Sequence, residues 1–247
     1  MDALLAQWPV LAVLFLGALA RSALGFGDAL ITMPLLALVL EMRLATPLVA
    51  LCSSTLALVM LVRGWREVDV SAAWRLILST LVGVPIGVLL LTSVPEAVIK
   101  AILGALLAGF GMYRLRATPA PRLRSDRLSY GFGLFAGMLG GAYNTNGPPI
   151  VIYGTLRGWS PDRFRATLQG YFFPTGLMVL GAHAAGGLWT PAVLVGYLHA
   201  LPVLALALLL GEVLNRRVEP ERFSRLLHAS LVVMGALLVV SAVCAMV

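Results

Sequence analysis

Apolar stretches succeed one another along the whole chain, and they decide most of what it can become. They run at about 8–24, 29–40, 45–62, 72–92 and 97–113, then at 128–142, 147–154, 166–184, 191–214 and 223–247. Several approach the roughly 20 apolar residues that carry a helix across a bilayer. In hydrocarbon every backbone N–H and C=O has to find its partner inside the protein, so helices are the expected form. Charged residues make up 12% of the chain, about half of what a soluble domain carries. That is too few to cover a water-soluble fold, and the expected class is an all-α membrane protein.

The basic charge then reads as orientation. The net charge is +7, with one lysine and 17 arginines, and the arginines gather in short loops between apolar runs. Nucleic acid is therefore not an expected partner; the lipid bilayer is. Cys52 and Cys244 sit inside apolar runs without metal-ligand spacing and read as small buried hydrophobes. The start, MDALLAQWP, lacks a basic region and reads as the beginning of a retained first membrane segment. No Walker motif, zinc spacing or nucleophile triad occurs. No cofactor or metal is expected, and no segment offers a soluble catalytic domain, which argues against an enzyme.

The chain resembles itself. LGFGDALITMPLL (24–36) aligns with LGGAYNTNGPPIV (139–151), and beyond a shifted loop Arg43, Leu48 and Thr55 align with Arg163, Leu168 and Thr175. This order predicts an internal duplication. In each half the first two apolar runs are short. Between the second pair lie Gly140, Gly141, Asn144, Thr145, Asn146, Gly147, Pro148 and Pro149, a stretch that no continuous helix tolerates well. Gly25, Phe26, Gly27 and Asp28 play the same part earlier. Each half is thus expected to begin with a broken helical hairpin and to continue with three full transmembrane helices.

Arginine counts choose the topology. If each hairpin returns to the side it entered, the loops near 63–70, 114–127, 157–165 and 216–225 share one face and hold 14 basic residues. Counting each hairpin as one crossing would put the arginine-rich 216–225 loop outside, against the positive-inside rule. The expectation is two inverted repeats with both termini outside. The first repeat covers 1–116 and the second 128–247, joined by a basic cytoplasmic linker at 117–127.

Broken helices inside a bilayer present backbone N–H groups and a positive dipole end, which suit an anion. Gly25, Gly27 and Gly147 would let a ligand approach the backbone closely. Asn144, Thr145 and Asn146 add side-chain donors and acceptors, although Asn-Thr-Asn could equally cap the helix that follows. Arg21 lies inside the membrane, where a charge is costly. It can serve as a ligand for an anion or as the partner of Asp28 in a structural ion pair, and Asp28 can alternatively carry a coupling proton. Gln169 and Tyr171 sit within an apolar span and read as a cavity wall, against the alternative of hydrogen bonds between helices. Ser53, Ser54 and Thr55 form the matching stretch, for which interhelical or i−4 carbonyl bonding is the better reading. His183, His199 and His228 are scattered and read as helix–helix contacts. Trp8, Trp65, Trp159 and Trp189 fall at segment ends, as interfacial anchors do.

The two glycine-rich turns that end in proline, LGFGDALITMPLL and LGGAYNTNGPPIVIYG, followed by FRATLQGYFF, resemble the TauE/SafE family of sulfite exporters and related permeases. The resemblance spans nearly the whole chain. Where the family carries a denser glycine run, this chain has Gly-Phe-Gly-Asp. The resemblance implies transport of small sulfur-containing or organic anions such as sulfite and sulfonates, bound against 25–28 and 144–147. The family is often described as two four-helix halves, whereas the arginine pattern here favours five segments per half.

The combined expectation is a secondary permease or exporter of a small anion in the inner membrane, working by alternating access with a proton or sodium ion as candidate coupling ion. The alternatives are a carrier of another solute or of a cation coupled through Asp28, and a membrane scaffold that transports nothing.

Overall fold

The structure, a computed structural model, describes residues 8–68, 70–116, 123, 127–217 and 220–244. Among the described residues there are ten α-helices and a short 3-10 turn at Trp65–Glu67, with no strand. The helices are α1 (Trp8–Leu24), α2 (Asp28–Leu36), α3 (Met42–Gly64), α4 (Val70–Ser93), α5 (Glu96–Arg116), α6 (Leu128–Tyr143), α7 (Gly147–Arg157), α8 (Pro161–Ala185), α9 (Pro191–Arg217) and α10 (Pro220–Cys244). They coincide with the ten apolar runs to within a few residues at most ends. The linker expected at 117–127 lies outside the described residues except for Leu123 and Arg127, as do the first seven residues of the chain.

The breaks fall where the short runs meet. α1 stops at Leu24, and α2 restarts at Asp28 after Gly25 and Gly27, whose φ angles are 86° and 101°. α6 ends at Tyr143 with Asn144 left-handed at φ 53°. The amides of Asn144 and Thr145 then bond back to Gly140 O and Leu139 O at 2.9 and 3.2 Å, a pairing that satisfies two end carbonyls. Pro148 and Pro149 occupy the first turn of α7, where a missing N–H costs no intrahelical bond. α2 has 9 residues and α7 has 11, so at about 1.5 Å per residue neither crosses a bilayer alone.

Matched by their left-handed residues, Gly25 stands where Asn144 stands, and Arg21 where Gly140 stands. Each of the latter two accepts the amide one turn later, at 2.6 and 2.9 Å. The alignment of Gly25 with Gly140 drawn from the glycine-rich strings is therefore displaced by about one helical turn at the break. Glycine-to-glycine matching misses that an asparagine can adopt the left-handed turn.

Packing is orderly. α1 lies on α9 and α6 on α4; α3 touches α9 and α8 touches α4; α3 pairs with α8, and α5 with α10. The α4–α6 crossing is close because Gly87 and Gly141 present bare backbone. A Cβ on Gly87 would strike Met138 O, and one on Gly141 would strike Val84 O. Leu81, Val82, Leu89, Leu198, Leu206, Leu209, Val233 and Val240 are exposed on the outer surface. An apolar surface that extensive belongs in lipid.

Four helices are long and apolar enough to cross a membrane, at Met42–Arg63, Ala73–Ser93, Ala97–Arg116 and Pro191–Leu214. Six full spans were expected. Of the other two, α8 carries buried Thr167, Gln169, Thr175 and His183, and α10 contributes the apolar segment Leu231–Cys244 among its described residues. One smaller expectation changes as well: Cys52 is buried but Cys244 is exposed. Trp159 meets Tyr153 and Phe164 edge-on at centroid distances of 5.8 and 6.2 Å, pinning the turn between α7 and α8.

Candidate functional site

Two helix interruptions converge on one small hollow of about 30 Å³. One wall is the start of α2, Asp28 to Leu30, with Gly27 ahead of it. The facing wall is the second break, Asn144 to Gly147, and Ser53, Ser54, Phe172 and Gly176 of the central α3–α8 pair close the sides. Neither Gly27 before α2 nor Asn146 before α7 caps its helix through a side-chain hydrogen bond. The capping role open to Asn-Thr-Asn is thus not the one these side chains take. Asn144 Nδ2 donates to Ser53 Oγ at 3.1 Å, and Asn146 Nδ2 donates to Thr175 Oγ1 at 3.4 Å. Both amides tie the second break to the central pair.

Arg21 is 3% exposed and lines the hollow. Its Nη1 donates to both Asp28 carboxylate oxygens, at 3.0 and 2.9 Å, and its Nη2 donates to Gln169 Oε1 at 3.0 Å. Its guanidinium lies 4.9 Å from the Phe172 ring centroid, a contact that stabilises a desolvated cation. Nε is buried and finds no partner among the described residues. Gln169 also donates through Nε2 to Gly25 O, so one amide side chain holds both Arg21 and the first break. The ion-pair reading of Arg21 and Asp28 is realised, and the pair stands inside the hollow.

Of the sequence candidates, Arg21, Gly27, Asp28, Asn144, Thr145, Asn146 and Gly147 line the hollow together. Gly25 shapes the first turn, and Gln169 stands behind Arg21. Tyr171 is placed elsewhere: it is fully buried, and its hydroxyl pairs with Thr80 Oγ1 at 2.8 Å, bracing α8 against α4. Phe172 and Gly176 escaped the sequence reading. They follow Gln169 at i+3 and i+7, one helical face, whereas Tyr171 at i+2 points off it. Ser53 takes the interhelical bond read for this stretch, from Asn144, and Thr55 and Thr175 bond back to the carbonyls of Leu51 and Tyr171 at 3.0 and 2.7 Å; Ser53 and Ser54 also line the hollow.

The last carbonyls of α6 are also satisfied. His183 Nε2 donates to Gly141 O at 3.0 Å, and Thr46 Oγ1 donates to Ala142 O at 3.5 Å. A larger void of about 800 Å³ lies between α5 and the α6–α7 turn, but no charged side chain among the described residues lines it. It offers an anion little beyond hydroxyls. The smaller hollow has the donors.

Apolar helices in this number, two pairs of them interrupted around a shared polar hollow, define a multi-pass membrane protein. A family model described as sulfite exporter TauE/SafE matches residues 10–238, and the chain belongs to that family of transporters. It is similar, at 28% identity over 95% of this chain and 94% of the relative, to a probable sulfite/organosulfonate exporter TauE of Cupriavidus necator. No solved structure matches it.

Proposed function

We propose that this chain is a secondary transporter of the inner membrane that moves a small sulfur-containing anion, sulfite or an organosulfonate, by alternating access. The observation that carries this reading is the meeting of two uncapped helix starts and Arg21 at one small hollow. Backbone dipoles there can replace the water of hydration around a negative solute. Serine hydroxyls and asparagine amides supply further donors without adding charge. The name of the relative from Cupriavidus necator agrees with a sulfur oxyanion as cargo.

The matched packing of α1 on α9 and of α6 on α4 supports the reading of two inverted repeats. In carriers built that way, the two halves rock about a site near the midplane. The cation alternative finds less support, because Asp28 directs both carboxylate oxygens at Arg21.

Purified protein in proteoliposomes tests the proposal. Sulfite or methanesulfonate should produce saturable flux, and Asn146→Ala should raise the half-saturating concentration. Absence of flux for every sulfur oxyanion and sulfonate tried would leave the scaffold reading in its place.

A further inference from the structure

Resting on the transport reading above, the geometry points to Asp28 as an internal substitute for the cargo. It holds Arg21 while the carrier is empty, yields it to the arriving oxyanion and takes up a proton, so that one proton travels with each monovalent anion.

Three observations lead there. The ion pair stands within the hollow, where the cargo must sit, with Arg21 3% and Asp28 7% exposed. A carboxylate and a sulfonate offer the guanidinium the same kind of oxygen acceptors, so the two compete for one fork. The fork also has a donor to spare: Nη1 is on Asp28 and Nη2 on Gln169, but Nε has no partner among the described residues. Nε is itself buried, so it can take an incoming oxygen only as the fork turns away from Asp28.

Charge balance supplies the proton. Among the described residues, Arg21 and Asp28 are the only charged side chains lining the hollow, so the empty site is neutral. A bound monoanion leaves it one charge negative in a medium where an uncompensated charge is expensive. Protonation of the displaced Asp28 restores neutrality. The proton comes from water on the side where the anion enters and is released on the far side, where Asp28 re-forms its pair with Arg21. The groups around Asp28 do not substitute for it in this exchange. Arg21 on α1 is its ion-pair partner, Cys52 on α3 does not line the hollow, α8 presents neutral Gln169 and Phe172, and the second break presents neutral amides. α5 and α10 also touch α2, but no charged side chain of theirs lines the hollow among the described residues.

The test uses methanesulfonate, which does not titrate near neutral pH, and proteoliposomes with a trapped pH dye. Wild-type protein should move one proton with each methanesulfonate during net flux. Asp28→Asn should bind the anion several-fold more tightly, because the competitor is gone, while net flux falls roughly tenfold or more and proton movement disappears. The empty Asp28→Asn carrier would hold Arg21 uncompensated, so it returns slowly, whereas anion-for-anion counterflow persists because the loaded form is neutral. Wild-type flux without proton movement overturns the inference, even if Asp28→Asn fails to fold. So does loss of counterflow in an Asp28→Asn protein that melts near the wild-type temperature, since Asp28 would then be structural. Wild-type protein that carries no anion at all removes the transport reading itself, and this inference with it.

Discussion

The two interruptions face each other across one hollow but are built from different chemistry. The first uses glycines at φ 86° and 101° and a buried ion pair with the arginine one turn upstream. The second uses a left-handed asparagine, neutral amides and two prolines that start the next helix. Both satisfy backbone groups that lipid would leave stranded. They differ in what each can contribute: the first break brings a charge that must be kept matched, and the second brings donors that need no matching. Stability should therefore depend on partnership at the first break and on backbone shape at the second.

The sharpest way to break this comparison is Arg21→Leu. It leaves the Asp28 carboxylate buried and unpaired, which should cost about 3–5 kcal/mol, seen as early thermal unfolding in detergent together with loss of anion flux. Adding Asp28→Leu should recover most of the stability and none of the flux. Recovery of flux in the double variant would remove Arg21 from the site.

Next in size is a pair of turn substitutions. Gly25→Ala forces a side chain into the left-handed region and should cost about 1–2 kcal/mol. Asn144→Gly keeps the turn and should change stability by only a few tenths of a kcal/mol, while raising the half-saturating anion concentration. Equal losses at both positions would show that Asn144 is needed for its bond to Ser53 rather than for its backbone angle.

Tyr171→Phe should cost about 1 kcal/mol through the lost Thr80 hydrogen bond and leave the half-saturating concentration alone, since the ring lies off the hollow. Asn146→Ala should show the reverse pattern. Its bond to Thr175 is long at 3.4 Å, so stability should shift by less than about 1 kcal/mol while anion binding weakens several-fold. These two are separated by measuring melting temperature and flux on the same preparations.

Much of this could be read from the residues, for identifiable reasons. Apolar length gave the ten segments because lipid permits few backbone forms. Glycine and proline clusters marked the breaks because they oppose helix locally. The pairing of Arg21 with Asp28 was one of two readings, since a charge in hydrocarbon needs a partner. What stayed hidden depended on contacts distant in sequence. Nothing local says that Gln169 reaches both Arg21 and Gly25 across 148 and 144 positions, or that Asn144 meets Ser53. Phe172 and Gly176 could have been found by extending the helical face of Gln169, which is also what would have set Tyr171 aside. α8 falls outside the four long apolar spans because a helix that walls a polar hollow gives up some of its apolarity to that task.

The reach of Gln169 has a consequence for how the chain is made. When the first five helices have left the ribosome, Arg21 still lacks its amide partner, and Ser53 still waits for Asn144. Translation must proceed through α6 and well into α8 before those contacts can close. A half-synthesised chain therefore has no assembled passage through which ions could escape, and neither half alone supplies all of the groups that hold the hollow together.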